Sequence, residues 1–102
     1  MSADNNHVFE EFKRGVRPLF IIRKKGVLLA EVTWRDIVVQ KWQNGIRIMF
    51  WEQAAQAEAF ISKSGAIQDL EVHLISPEEL WSIATRIWGP QVEQEFSFFL
   101  SE

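Results

Sequence analysis

The sequence contains no cysteine and no tyrosine, and it has only two histidines, His7 and His73. Without cysteine there are no disulfide bonds, thiolate nucleophiles or cysteine-ligated metals. His7 belongs to a polar N-terminal stretch, and His73 alternates with apolar residues, which predicts a solvated position on the polar side of a strand. We therefore expect a protein that is not an enzyme and that has no metal site and no cofactor.

Glycine is scarce and long apolar runs are missing. The five glycines each fall at a predicted turn or helix end, and none belongs to a phosphate-binding loop. No apolar run approaches the roughly 20 residues that cross a bilayer. Residues 1–7 lack the positive cluster and apolar run of a signal peptide. We expect no nucleotide cradle, no membrane contact and a cytoplasmic location.

The residues that are present suit one globular domain over residues 1–102. The chain has 47% hydrophobic and 25% charged residues, which is the range of folded soluble domains. Residues 1–7 are polar, and we expect them to form a mobile tail. The predicted organisation is thus a single domain with a short N-terminal tail.

Alternating and continuous apolar runs predict the strands. Residues 19–23 and 27–32 both have a strand pattern, and Lys24-Lys25-Gly26 between them predicts a β-hairpin. Further strands are predicted over residues 46–51, 70–75 and 95–100. Right-handed crossovers would make strands 46–51 and 70–75 parallel.

Three helices are predicted from stripes and caps. Val8, Phe9 and Phe12 form a short apolar stripe that ends at Gly15, and an alanine-rich helix over residues 52–63 ends at Ser64-Gly65. In Ser76-Pro77-Glu78-Glu79, the serine is a predicted N-cap and Glu79 completes a capping box for a helix over residues 77–88.

Residues 33–45 allow two interpretations. Thr33 and Asp36 resemble a capping box, which favours a helix slightly. One face of that helix would hold Trp34, Ile37, Val38 and Trp42, with both tryptophans in the core. The β-branched run 37–39 and Asn44-Gly45 instead favour a strand that enters a hairpin. On either interpretation the fold class is α+β, a mixed sheet with helices packed mainly on one face.

Aromatic residues are plentiful, with five tryptophans and eight phenylalanines in 102 residues. On helix 77–88 the apolar stripe consists of Leu80, Ile83, Ala84 and Ile87, and Trp81 and Trp88 lie beside it. Such tryptophans either cover the edge of the core or form an interface, where tryptophan is enriched. The candidate interface residues are Trp81, Trp88, Phe99, Trp42 and Trp51.

Positive charge is concentrated in one segment. Residues 1–51 carry nine Lys/Arg against five Asp/Glu, whereas residues 52–102 carry two against nine. The segment 13–25 holds six cations without an intervening carboxylate. This candidate basic patch predicts either a solvated surface that balances the acidic half or a nucleic-acid surface; its residues are Lys13, Arg14, Arg17, Arg23, Lys24 and Lys25.

The order of elements in the C-terminal half resembles a known family. Gly45-Ile46-Arg47-Ile48-Met49-Phe50-Trp51, the alanine-rich helix, Leu74-Ile75-Ser76-Pro77-Glu78-Glu79-Leu80-Trp81 and Ile87-Trp88-Gly89-Pro90 are similar to small uncharacterised bacterial DUF2750-type proteins. The resemblance implies an architecture: a strand ending in tryptophan, a helix, a second helix with tryptophan near its end, and a terminal strand. It implies no activity.

Together these features favour an interaction domain that contacts a protein partner, or itself as a homodimer, through aromatic surface. A nucleic-acid-associated regulator that uses residues 13–25 is the first alternative. A small-ligand-binding protein with a pocket lined by tryptophan is the second.

Overall fold

The computed structural model describes residues 2–42, 45–88 and 98–100. Two short 3₁₀ turns, Leu29–Glu31 and Trp34–Asp36, connect the first two strands of this part of the chain. Its helices and strands, in chain order, are α1 (Ser2–Lys13), β1 (Leu19–Lys24), β2 (Val39–Trp42), β3 (Gly45–Phe50), α2 (Ala54–Ser64), β4 (Leu70–Ile75), α3 (Pro77–Trp88) and β5 (Phe98–Leu100).

Strand β1 is central because it is buried on both faces. Neighbouring residues of a strand point to opposite sides, yet Ile21 and Ile22 are both almost fully buried. Ile21 belongs to a first core cluster that includes Phe12 of α1 and Leu80 of α3. Ile22 belongs to a second cluster with Ile61 of α2. The helices therefore lie on both sides of β1 and not mainly on one side, because a strand with two apolar faces needs cover on each.

Strand β1 pairs with β4, and the predicted hairpin 19–32 is wrong. The two strands are antiparallel, from Leu19 opposite Ile75 to Lys24 opposite Leu70. The other edge of β1 meets Trp51 and Ile37 through isolated bridges. With both edges occupied, residues 27–32 cannot pair with β1. Within this segment Leu29–Glu31 form a 3₁₀ turn instead, and Val32 is buried in the first cluster.

The second sheet has the order β2-β3-β5. Strand β2 is antiparallel to β3, and β5 lies parallel to β3 at the outer position. The helical interpretation of residues 33–45 is thus wrong. The capping box of Thr33 and Asp36 does form, but it begins only one 3₁₀ turn. The strand interpretation is the correct one beyond residue 38, and Trp42 lies opposite Gly45.

Strands 46–51 and 70–75 are not parallel neighbours, contrary to prediction. The chain between them contains α2, as expected, and this helix ends at Gly65 with φ of 78°. Strand β4 then pairs with β1 in the other sheet. Strand β1 offers a continuous apolar run over residues 19–22. The two edges of β3 are taken by β2 and β5, so β4 pairs with β1.

The α+β class is nevertheless as predicted. Helix α1 packs Val8 and Phe12 into the first cluster, and the ring of Phe12 lies 6.5 Å from that of Phe50. The helix begins at Ser2, so residues 2–7, which were expected to be a tail, have helical backbone.

Candidate interaction surfaces

Helix α3 begins with a complete capping box. The Ser76 hydroxyl accepts a hydrogen bond from the Glu79 backbone N–H at 3.2 Å, and a Glu79 carboxylate oxygen accepts one from the Ser76 N–H at 3.0 Å. Two N–H groups that a helix start leaves without partners are thereby satisfied. This cap sets where α3 begins and so which of its residues face outward.

We expect Ser76→Ala to lower the free energy of unfolding by about 1 kcal/mol, because the N-cap acceptor is lost. Urea unfolding of the variant and the wild type measures this difference. Ser82→Ala is the matched control, since Ser82 is an exposed serine in the same helix. Equal losses in the two variants would contradict the capping role.

Trp81 is exposed beside a buried stripe. Leu80, Ile83 and Ala84 are each at most 3% exposed, whereas 51% of Trp81 is exposed. Trp88 lies two helical turns further along the same side of α3, and its side chain is outside the described residues. We call this flank of α3, with positions 81 and 88, the Trp81 face. It presents an indole to solvent that the core does not use.

The other aromatic residues lie in different environments. Trp51 is wrong as an interface residue: it is 1% exposed, and its ring lies 5.2 Å from that of Phe60 in a tilted arrangement, because β3 ends where α2 and β1 converge. The side chains of Trp42 and Phe99 lie outside the described residues. Trp34, expected in the core if 33–45 were a helix, is 45% exposed, and the Arg35 guanidinium lies 5.3 Å from its ring.

His73 is not the solvated residue that alternation predicted. Its side chain is 24% exposed, and its Nε2 lies 3.4 Å from a carboxylate oxygen of Glu79, without hydrogen-bond geometry. Burial alone would raise the pKa of Glu79. The hydrogen bonds from Ser76 and the nearby His73 together outweigh burial, so the pKa of Glu79 lies below its ordinary value. Alternation failed because this face of β4 is covered by α3.

The lowered pKa of Glu79 predicts a pH effect. Ionised Glu79 stabilises the folded chain above its unfolded-state pKa, and this contribution is lost as the pH falls through the folded-state pKa. Glu79→Gln keeps a capping side chain but removes the titration. We expect the wild type to be more stable than Glu79→Gln near neutral pH and the difference to shrink below pH 4.5. Urea unfolding at a series of pH values tests this, and a constant difference would contradict it.

The candidate basic patch is divided by internal pairing. Arg17 donates to Glu11 at 2.6 and 2.8 Å and to Glu52 at 2.7 Å. The hydrogen bond between them lowers the pKa of Glu11 and raises that of Arg17. Arg17 thus connects α1 to the start of α2. It is held by two carboxylates and is poorly placed to meet phosphate.

The remaining cations lie at separate places. The Arg23 guanidinium donates to the Val27 carbonyl, and Lys13 pairs with Glu10 at 3.2 Å. Lys24 ends β1 and Lys25 follows it, whereas Lys13 precedes the strand. A six-residue strand is about 17 Å long, so these groups are at opposite ends. The segment 13–25 therefore forms no continuous cationic surface.

An open groove of about 560 Å³ lies between α2 and β4. Ile61, Leu70 and Val72 form its apolar floor, and its rim includes Lys25, Glu58 and Ile67. We call it the β4 groove. Among the described residues that line it there is no tryptophan, so it is not the tryptophan-lined pocket of the second alternative. The sequence contained no signal for it, because α2 and β4 meet only in the tertiary structure.

Along one edge of β4 the backbone N–H and C=O groups point away from β1. Phe20 exchanges hydrogen bonds with Trp51, and the Ile22 carbonyl accepts from Val38. Because backbone direction alternates along a strand, Leu19, Ile21 and Arg23 are the residues of β1 that bond β4. Their partners are Ile75, His73 and Glu71.

It follows that the N–H and C=O groups of Leu70, Val72 and Leu74 point away from β1. The Leu70 N–H donates to Ala66 at 3.1 Å. Within residues 2–42, 45–88 and 98–100, no strand pairs with this outer side of β4. Leu74, on the same edge, is 57% exposed. We call Leu70, Val72 and Leu74 the β4 edge.

The described residues include no cluster of three or more His, Cys, Asp or Glu side chains that could hold a metal ion. In the same part of the chain, no helix combines the length and apolarity that a membrane span requires.

No protein-family model matches this chain, and neither curated proteins nor solved structures show a match. The resemblance to DUF2750-type proteins therefore stays a prediction.

Proposed function

We propose that this protein is a non-enzymatic interaction domain that contacts a protein partner through the Trp81 face. One observation carries the proposal: 51% of Trp81 is exposed although it lies beside the buried Leu80 and Ala84 of α3. Large exposed indoles are costly in water and are common at the centre of interfaces. The lack of cysteine suits work in a reducing compartment such as the cytoplasm.

The position of Trp81 on a capped helix supports this role. Helix α3 is held by Leu80, Ile83 and Ala84 in the core and by the Arg86 guanidinium, which donates to the Val32 carbonyl at 2.5 Å. A partner would therefore meet a side chain on a rigid element, which lowers the entropy lost on binding. The basic segment 13–25 offers less to nucleic acid, because Arg17 and Arg23 already have internal partners.

A pull-down from native lysate tests the proposal with three baits: the wild type, Trp81→Ala and Trp34→Ala. Trp34 is the matched control because it is also an exposed tryptophan, on a different element. We expect at least one protein that the wild type and Trp34→Ala retain and Trp81→Ala loses. With the purified partner, the loss should be about 30-fold in Kd, the range of an interface hot spot.

Circular dichroism and urea unfolding must show that Trp81→Ala remains folded, with a stability within about 0.5 kcal/mol of the wild type, as for exposed positions. Identical protein sets on all three baits would refute a role for Trp81 in partner binding.

A further inference from the structure

We infer that two copies of this chain associate by antiparallel pairing of their β4 edges, centred on Val72. This inference goes beyond the proposed function, because it concerns a surface other than the Trp81 face. An exposed strand edge with outward N–H and C=O groups is satisfied best by another extended backbone. Pairing would join the two β1–β4 sheets into one antiparallel sheet with a twofold axis.

The outward groups fit a second copy in this register. With Val72 opposite Val72 of the second copy, the two residues exchange both backbone hydrogen bonds, as in a hydrogen-bonded antiparallel pair. Leu74 then lies opposite Leu70 of the second copy, and its N–H meets the Leu70 carbonyl. The Leu70 N–H already donates to Ala66, so each Leu74–Leu70 pair contributes one hydrogen bond and not two.

Charge selects this register over its neighbours. Centred on Val72, the pairing places Glu71 opposite His73 of the second copy, so no two carboxylates meet, and each His73 keeps Glu79 of its own chain beside Nε2. A register centred on Glu71 would place two carboxylates directly opposite, which destabilises a strand pair. One centred on His73 would oppose two imidazoles and leave Glu71 opposite Ile75. Of these three registers, the one centred on Val72 therefore keeps the two Glu71 carboxylates apart and places no pair of like side chains from positions 71 and 73 opposite each other.

The β4 groove supplies the apolar part of the contact. Leu70, Val72 and Leu74 alternate on the α2 side of the strand, where Leu70 and Val72 form the groove floor. In the paired state, Leu74 lies across from Leu70 of the second copy, at the end of the groove bordered by Ile67. Leu74 and Ile67 are 57% and 58% exposed in the single chain, and mutual burial would remove both from water.

Disulfide trapping tests the register directly, because the chain has no cysteine of its own. Paired Val72 residues would have Cα atoms about 5.5 Å apart, within the range of a disulfide. We expect Val72→Cys to form a covalent dimer under mild oxidation at least about tenfold faster than Leu28→Cys. Leu28 is 67% exposed and follows Val27, which packs on the opposite side of β1.

A mixture of Glu71→Cys and His73→Cys chains adds a second test of register. In an equal mixture, random pairing already gives a twofold excess of the mixed disulfide over either homodimer. We expect a clearly larger excess, because only the mixed pair lies directly opposite in this register. A mixed disulfide at or below this twofold random excess would overturn the proposed centre on Val72.

Self-association is measured on the untagged chain by sedimentation equilibrium. Concentrations from about 10 µM to about 1 mM are suitable, since a contact of this size is expected at the weak end of interfaces. Leu74→Pro removes the outward N–H, and Leu74→Asp removes the apolar side chain. Either should weaken dimerisation at least about tenfold, whereas Leu28→Asp should leave it unchanged.

A wild type that stays monomeric throughout, with Val72→Cys no faster than Leu28→Cys, overturns the inference. A dimer whose affinity is unchanged by both Leu74 variants also overturns the inference. A monomer whose β4 edge binds only a foreign extended peptide overturns it as well. Trp81→Ala is expected to dimerise normally. Failure of this inference therefore leaves the proposed role of Trp81 to its own test.

Discussion

Replacing Trp51 by alanine is expected to remove about 3–5 kcal/mol from the free energy of unfolding, the cost of deleting a large buried aromatic side chain. Trp51 is 1% exposed and belongs to the second core cluster with Ile22 and Ile61. Its ring packs against Phe60, and its backbone exchanges two hydrogen bonds with Phe20 at 2.9 Å. The cavity would therefore open where β1, β3 and α2 meet.

A domain of 102 residues has a total stability of about 5–15 kcal/mol, so Trp51→Ala could consume much of it. Urea unfolding monitored by circular dichroism measures the loss. Trp81→Ala is the internal control, because it deletes the same atoms at a half-exposed site. A Trp51→Ala loss within 1 kcal/mol of the Trp81→Ala loss would contradict the burial of Trp51.

The second large effect concerns neighbouring proline substitutions in β4. His73→Pro is expected to destabilise the chain by about 3 kcal/mol or more, because it removes a ladder hydrogen bond to Ile21 and places a proline ring against β1. Leu74→Pro, one residue further, should cost about 1 kcal/mol. Its N–H points away from β1, the direction in which an edge strand tolerates proline.

Urea unfolding and hydrogen exchange at Ile21 distinguish the two variants. Replacing the histidine by alanine separates the loss of its side chain from the backbone effect. If His73→Pro were tolerated and Leu74→Pro were not, the β4 edge would be assigned to the wrong side of the strand, and the dimer inference would lose its basis.

Local signals in the sequence predicted helix ends well. Both capping boxes form, at Thr33–Asp36 and Ser76–Glu79, and α2 ends at Gly65. Such signals succeed because the donor and acceptor are three residues apart, so no distant segment is required. A capping signal does not determine how long the helix after it will be. After Thr33 only one turn forms, since Val39 pairs with Ile48.

Strand pairing was predicted less well. Residues 19–23 and 27–32 are both apolar and are separated by a turn, which satisfies every local condition for a hairpin. The structure pairs β1 with β4, about 50 positions further along the chain. A local sequence pattern cannot show that a distant strand is the better partner. The candidate interaction surfaces were also not predictable from local patterns. The exposure of Trp81 and the burial of Trp51 depend on which element covers each indole, and the β4 groove depends on two elements that meet only after folding.

By itself the sequence determined that this is an α+β domain, where its second and third helices lie, and that its core is rich in aromatic and aliphatic side chains. The tertiary structure alone decided that β1 is the central strand, that Trp51 is internal while Trp81 and Trp34 face solvent, and that β4 has an outward edge. The physical reason is range. Caps and helical stripes are contacts between residues a few positions apart, whereas burial and strand order result from competition among all segments for the same apolar surface.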